Sequence, residues 1–438
     1  MEYFKHLIAK PNTIFTTLHN GLSIRWKALL AILMVVIVFG LLFVFYGYEP
    51  TWRLWNIPVM SPNFADLRGI THGADSFAQG FDPLIHNPSD LWNRPLNYPR
   101  IWHLLYWTGL NKSHTVGLAV GVIFAFLAGV VIILPNVSNV TVSLVILALV
   151  SPAVLLGIER ANIDLLMFFI VALTIGFAQR SAVLADIGIL LGTALKIFPF
   201  FGISLLVRLR KQQFIQHACI ILCLSSLYVA INWSELNLIS QSTPRETYLS
   251  YGMNVLWLGV SQNISPLLGK IIYLLSLASI AAIFLLIFFT LVQPSRFGLA
   301  NQELHFNDGT LSLDAFRVGT SIYLGTFLIG NNWDYRLSFL IFVIPQLSLW
   351  LNSSSRRLRW CSSATLLATF VSMWYLGLSG VWDALLSKFP FVLPGAALYP
   401  WFLNELSNWL LFGLLSYLFT LTLPPWFKGW VASPFHQN

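Results

Sequence analysis

Four clusters of polar residues stand out from an otherwise apolar chain, because each combines groups able to move a proton or hold an anion. The first lies within residues 47–115 and contains Asp66, Arg68, His72, Asp75 and Asp82, closing with Asn97-Tyr98-Pro99. Asp66 and Asp75 lie in a stretch, 64–79, that fits a short helix on the membrane surface, and their cluster beside an Arg-rich membrane edge favours a functional role for one of these acids. The second is Glu159-Arg160-Ala161-Asn162-Ile163-Asp164, at the junction of two apolar runs. Asn162 and Asp164 fit a helix start, where a side-chain oxygen caps free N–H groups and a carboxylate meets the positive end of the helix dipole. Capping does not explain the Glu159-Arg160 pair, and charge at the edge of hydrocarbon is costly enough to point to a substrate role. The third, Leu195-Lys196-Ile197-Phe198-Pro199, puts a lysine in the middle of an apolar run. That lysine must meet a carboxylate, a phosphate or water. Asp164 and Asp186 are candidate partners, and a structural ion pair fits the residues as well as a phosphate contact does. The fourth is Asn331-Asn332-Trp333-Asp334-Tyr335-Arg336, where Asp334 fits a helix cap and the Arg336 guanidinium suits a phosphate.

These clusters must be positioned by elements that cross a membrane. The 438 residues are 57% hydrophobic and only 10% charged, with a mean hydropathy of +0.72, whereas soluble domains carry about 25% charged residues. A helix needs roughly 20 apolar residues to cross the hydrocarbon core. Runs of that kind are expected at about 28–46, 116–134, 139–157, 163–178, 214–231, 270–293, 315–330, 336–351, 360–378 and 405–424. The run 182–207 differs, since Lys196 and Pro199 interrupt it and both ends are basic, with Arg180 on one side and Arg208, Arg210 and Lys211 on the other. A re-entrant hairpin keeps both basic ends on one side, and proline marks its break. The expected fold is an all-α, polytopic transmembrane bundle of about 10–12 membrane segments, forming one membrane-embedded domain with a large first extracytoplasmic loop at 47–115. Run 28–46, preceded by Lys5, Lys10, Arg25 and Lys27 and followed by no small-residue cleavage site, reads as a signal anchor.

The net charge of +8 does not imply a nucleic acid, because the basic residues sit at the ends of apolar runs, as the positive-inside rule requires. With the hairpin, both termini are cytoplasmic and most acidic residues fall outside, which places the chemistry on the extracytoplasmic face. The remaining outer segments are 232–269, the turn 331–335 and 379–404. Cys219, Cys223 and Cys361 form no CxxC motif and read as small buried side chains. No glycine-rich phosphate loop, HExxH or GxSxG motif occurs, so a nucleotide substrate has no evident seat. No Asp-x-Asp motif occurs either. No cofactor is expected, and a divalent metal is left open.

Taken in order, "NFADLRGITHGADSFAQGFDPL" with "LNYPRIW", "ERANIDLLMFFIVAL", "GTALKIFPFFGISLLVRLR" and "NNWDYRLSFLIFVIPQL" resemble the GT-C glycosyltransferase superfamily, and within it glycosyltransferase family 87. The resemblance spans most of residues 28–350. It implies inverting transfer of a mannose-like hexose or a pentose from a polyprenyl-phosphate donor to a glycolipid or glycan acceptor. It further implies a catalytic aspartate in the first outer loop, matched by Asp66 with Asp75 in reserve. Arg160, Asn162, Asp164 and Lys196 match motifs expected near the lipid phosphate. Tyr98, Asp334, Tyr335 and Arg336 complete the implied substrate contacts, although many relatives carry histidine where this chain has Asp334-Tyr335-Arg336. Membrane lipids are the remaining implied partner. A lipid-linked oligosaccharide transporter is the competing reading, and a non-catalytic membrane scaffold a third. Transporters often show internal repeats and midplane charges, and this chain shows no repeat.

Overall fold

Continuous apolar sequence makes helices here, and proline or a polar cluster breaks them. The computed structural model describes residues 11–134, 138–292, 310–388 and 396–432. Lys5, Lys10, residue 293 and residues 389–395 of the fourth outer segment lie outside the described residues.

Among the described residues, four helices are long and apolar enough to cross a membrane: Trp26–Tyr46, Lys112–Ile132, Lys211–Ile231 and Pro266–Val292. Three bent pairs bring the number to as many as 7 if each pair is one span. In the first, Asn139–Leu149 turns by 52° into Pro152–Arg160. Pro152 cannot continue the hydrogen-bond ladder, and Ser151 caps the new helix through Val154 N–H. The other two are Arg356–Met373 with Tyr375–Leu386 and Tyr399–Leu421 with Pro425–Val431. The protein is therefore an all-α, polytopic helical protein, but its apolar runs are not ten uniform straight crossings. Run 163–178 is the 15-residue helix Asp164–Ala178, and run 336–351 is a 3-10 segment, Asp334–Val343, passing into the helix Ile344–Trp350. Periodicity cannot foresee such breaks, because an apolar window reads alike whether the helix inside it is straight or bent.

Burial sorts these helices into an inner and an outer set. Asp164–Ala178 lies at the centre, where Phe168 stacks on Phe342 at 4.2 Å and meets Phe126 edge-on at 4.9 Å. Gly129 lets the neighbouring helix approach, since a Cβ there would lie 3.1 Å from the Phe169 backbone. Trp26–Tyr46 and Pro266–Val292 are only 17% and 6% buried over their most apolar stretches and leave rows of Leu, Val, Ile and Phe outward. In water that surface would be prohibitive, and lipid solvates it.

Residues 182–208 fold back on themselves. The helix Ala182–Leu195 stops at Lys196, whose backbone is extended, and a 3-10 arm, Phe198–Arg208, returns along it. A Cβ on Gly192 would lie 2.8 Å from Pro199 Cβ, and one on Gly202 would lie 3.6 Å from Ile189. Both ends of the hairpin thus reach the same end of the bundle. There Arg208 pairs with Asp314 at 2.7 Å, and Gln179 donates to the same carboxylate at 2.8 Å. The tip, with Lys196, is carried to the opposite end.

That end is covered by the segment between the first two long helices. Within it lie the helix Ala65–Ala78 and the 3-10 turn Arg100–Thr108, and Arg100 pairs with Asp82, four residues past the helix, at 2.6 Å and with Glu235 of the 232–265 connection at 3.5 Å. A two-residue antiparallel ladder, Ser250–Tyr251 against Asn332–Trp333, ties the fourth motif to the 232–265 connection.

Candidate functional site

Asp66 lies in the first turn of the helix Ala65–Ala78, and a buried pair fixes where that helix begins. Glu159 is fully buried. Its Oε1 accepts Met60 N–H at 3.0 Å, its carbonyl accepts Phe64 N–H at 3.2 Å, and its Oε2 pairs with Arg160 Nε at 3.0 Å. Arg160 also donates to the Pro58 carbonyl at 2.9 Å. The Glu159-Arg160 pair, which capping left unexplained, therefore staples residues 58–64 against the bundle, and Phe64 enters the helix from a left-handed conformation at φ 65°. Arg160 was expected at the substrate, and the structure commits two of its three guanidinium nitrogens to this staple. Arg160 lies two positions before Asn162.

The cluster runs through Asn162. Its amide Nδ2 donates to Asp66 Oδ2 at 2.6 Å, and its Oδ1 accepts Asp164 N–H at 2.9 Å. One side chain thus caps the central helix and holds the loop carboxylate. Asp164 is buried and bridges two cations, with Lys196 Nζ at 2.5 Å and Arg336 Nε at 3.0 Å. Arg336 also donates to Asn332 and lies over the Phe198 ring at 4.5 Å. Lys196 lies 5.0 Å from the centre of the Tyr98 ring. The hairpin tip is held from outside, because the last carbonyls of its first arm, Ala194 and Leu195, accept from Tyr228 at 2.9 Å and Trp102 at 3.0 Å. Those carbonyls would otherwise be left without donors at a helix end.

Asp66 is close enough to Tyr98, Tyr335 and Lys196 to act on each electrostatically. Burial pushes the Tyr98 phenol well above its ordinary value, and the Asp66 and Asp164 carboxylates add to that. Tyr98 therefore keeps its proton and can serve as a donor. Asp66 keeps 22% of its side chain exposed, while Lys196 and Arg336 each keep 16%. The two cations exceed the one carboxylate they share, so a net positive patch faces Asp66 across Asn162.

The structure thus brings Asp66, Asn162, Asp164, Lys196, Arg336, Tyr98 and Tyr335 together. Asp75 is elsewhere. Nine residues along a helix is two and a half turns, so it occupies the opposite face. There it accepts the Lys112 backbone N–H at 3.4 Å. Asp334 is buried with its N–H bonded to the Leu249 carbonyl at 2.9 Å, and no Lys or Arg among the described residues acts on its carboxylate. It does not join the cluster. Asp186, a candidate partner of Lys196, pairs instead with His217 at 2.5 Å.

One contributor was missed. Arg94 lies 3.8 Å from Asp66, donates to the Ala65 carbonyl at 2.6 Å and is anchored by Asp90 at 3.1 Å and by the Trp92 ring at 4.5 Å. The spacing Asp90-x-Trp92-x-Arg94 carried that signal, as a carboxylate four residues ahead of an arginine with an aromatic face between them.

The fold and this cluster define a multi-pass, all-α membrane protein with a mixed carboxylate and cation site where its largest loop meets the bundle. Compared with family models, with curated proteins and with solved structures, the chain matches none. The four motifs and their convergence on one site are what bear on its chemistry.

Proposed function

We propose that the protein is a membrane-embedded, inverting glycosyltransferase that takes its sugar from a polyprenyl-phosphate donor on the extracytoplasmic face. The observation that carries this reading is that Asn162 donates to the Asp66 carboxylate and accepts the backbone N–H of Asp164, whose own carboxylate bridges two cations. A sugar on a lipid phosphate needs a base for the acceptor hydroxyl and cations for the departing phosphate. These are the two halves of the cluster.

In the proposed reaction the acceptor oxygen attacks the anomeric carbon and its proton passes to Asp66. The bond from that carbon to the phosphate oxygen breaks, its electron pair leaves with the polyprenyl phosphate, and configuration at the carbon inverts. Lys196 and Arg336 stabilise the charge that grows on the phosphate, and Asp164 holds both cations in place before the donor arrives. Tyr98 and Tyr335 flank the transfer site. The lipid chain lies against the apolar outer face, and the acceptor is a glycolipid or glycan.

Purified protein in detergent, given a polyprenyl-phosphate donor carrying labelled hexose or pentose and a membrane glycolipid extract, should form a labelled product with inverted anomeric configuration. Translocation of a lipid-linked sugar by reconstituted protein, with no transfer by the same preparation, would replace this reading with a transporter.

A further inference from the structure

The two oxygens of the Asp66 carboxylate are not equivalent. Oδ2 accepts Asn162 Nδ2 at 2.6 Å, whereas Oδ1 accepts no hydrogen bond among the described residues. Oδ1 faces Arg94 Nη1 instead, at 3.8 Å. Ionised pairs ordinarily close to about 2.7–2.9 Å. This one stays open because Arg94 is held by its other nitrogens. Nε donates to Asp90 Oδ1 and Oδ2 at 3.3 Å each. Nη2 donates to Asp90 Oδ2 at 3.1 Å and to the Ala65 carbonyl at 2.6 Å, and the guanidinium lies 4.5 Å from the centre of the Trp92 ring.

Among the described residues, Nη1 is thus the one Arg94 nitrogen without a hydrogen bond, and it lies across a gap from the one Asp66 oxygen without one. Asp90 keeps the guanidinium from closing that gap. Its side chain is fully buried, so parting it from Arg94 would leave an uncompensated charge inside the protein. The Arg94 and Asp66 side chains both keep some exposure, so the gap is reachable from outside. A polar gap of this width is one that a single oxygen fills, since an oxygen about 2.8 Å from each atom fits between them. That oxygen must accept from Nη1 and donate to Oδ1. A hydroxyl does both, whereas a carbonyl or an ionised phosphate oxygen can only accept.

We infer that Arg94 Nη1 and Asp66 Oδ1 together seat the nucleophilic hydroxyl of the acceptor, which makes Arg94 an acceptor-binding residue. The inference rests on the sugar-transfer reading above, and adds to it the atom that takes the proton and the group that aims the attacking oxygen. The hydroxyl proton passes to Oδ1 and its bonding pair stays on the oxygen. One lone pair of that oxygen accepts from Nη1, and another forms the bond to the anomeric carbon as the bond to the phosphate oxygen breaks. Holding the oxygen at two points lowers the entropic cost of the attack. Lys196 and Arg336, beyond Asn162, serve the leaving group, and Arg94 serves the entering one. Asp90 and Trp92 are positioning residues that act through Arg94.

Full-length wild type, Arg94→Gln, Asp66→Asn and the double variant would be assayed in detergent with one polyprenyl-phosphate donor and increasing amounts of a membrane glycolipid extract. At limiting extract, Arg94→Gln should transfer sugar roughly 10- to 100-fold more slowly, the worth of one hydrogen bond from a charged group. Its half-saturating donor concentration should match that of the wild type. In the Asp66→Asn background the same substitution should cost little more, because both residues hold one hydroxyl and their losses do not add. A loop that had only been loosened would raise the donor requirement as well, and its loss would add to that of Asp66→Asn. Either result overturns the inference, and so does undiminished transfer by Arg94→Gln. The sugar-transfer reading survives those results, because the wild type still transfers and Asp66→Asn does not. Absence of transfer by the wild type ends both. Should Arg94→Gln fail to fold, Arg94→Lys carries the same test, since it keeps a charge beside Asp90 and lacks the second nitrogen that faces Asp66.

Discussion

Asn162 and Asp164 show how one residue serves both structure and chemistry. A helix cap needs only an acceptor, which Asn162 Oδ1 supplies, and the amide nitrogen left over is what reaches Asp66. Replacing Asn162 by Asp would keep the cap and lose that donor, setting two carboxylates against each other. Asp164 carries the larger structural load. Removing its charge as Asp164→Asn leaves Lys196 and Arg336 facing each other in a buried setting, so the variant should lose about 3–5 kcal/mol of stability, read as a lower thermal midpoint in detergent. Lys196→Gln keeps Asp164 paired with Arg336 but removes one cation from the proposed phosphate position. Its kcat/KM for a polyprenyl-phosphate donor should fall roughly 10- to 100-fold, the worth of one hydrogen bond to a charged group.

At the scale of elements, the hairpin is the device that brings a cation into the site. Its two arms are matched so closely that Gly192 has no room for a side chain beside Pro199. Gly192→Val should cost about 1–3 kcal/mol through overpacking. It should also reduce kcat/KM, since Lys196 follows four residues later; unchanged stability and activity would show that the arms are not packed as described. The chain reversal at Lys196 was legible in the sequence, because a lysine and a proline inside an apolar run leave few alternatives. The Glu159-Arg160 staple was not legible. Charged neighbours at a helix junction look the same whether they meet a substrate or the backbone of residues 58–64, and the sequence does not show where that loop passes. For the same reason Asp66 and Asp75 could not be separated by residue type. Only the helix Ala65–Ala78, with its nine-residue offset between them, puts one on the cluster and turns the other toward Lys112.

Across the whole molecule, polarity divides the two ends of the bundle. The candidate site and the long first loop share one end, while Arg208, Asp314 and the 351–355 turn occupy the other, where Trp350 packs on Phe316 at 4.8 Å. The account therefore makes a prediction about sidedness. With the 3 native cysteines replaced by serine, a cysteine at exposed Ile85 should be labelled by an impermeant maleimide in intact cells. One at exposed Asn352 should be labelled only after permeabilisation. Apolar composition made the membrane evident from the sequence, but not the number of straight crossings, because mean hydropathy does not register a break such as the 52° turn that Pro152 and its Ser151 cap introduce.

The central claim is that the Asp66 carboxylate, and not merely the acidity of its loop, takes the acceptor proton. Side-by-side measurement of sugar transfer by wild type, Asp66→Asn and Asp75→Asn tests this most directly, using one polyprenyl-phosphate donor and proteins of matched thermal midpoint. The account predicts a loss of roughly 10²- to 10⁴-fold for Asp66→Asn and near-normal turnover for Asp75→Asn. Undiminished transfer by Asp66→Asn, or loss in Asp75→Asn alone, would contradict it.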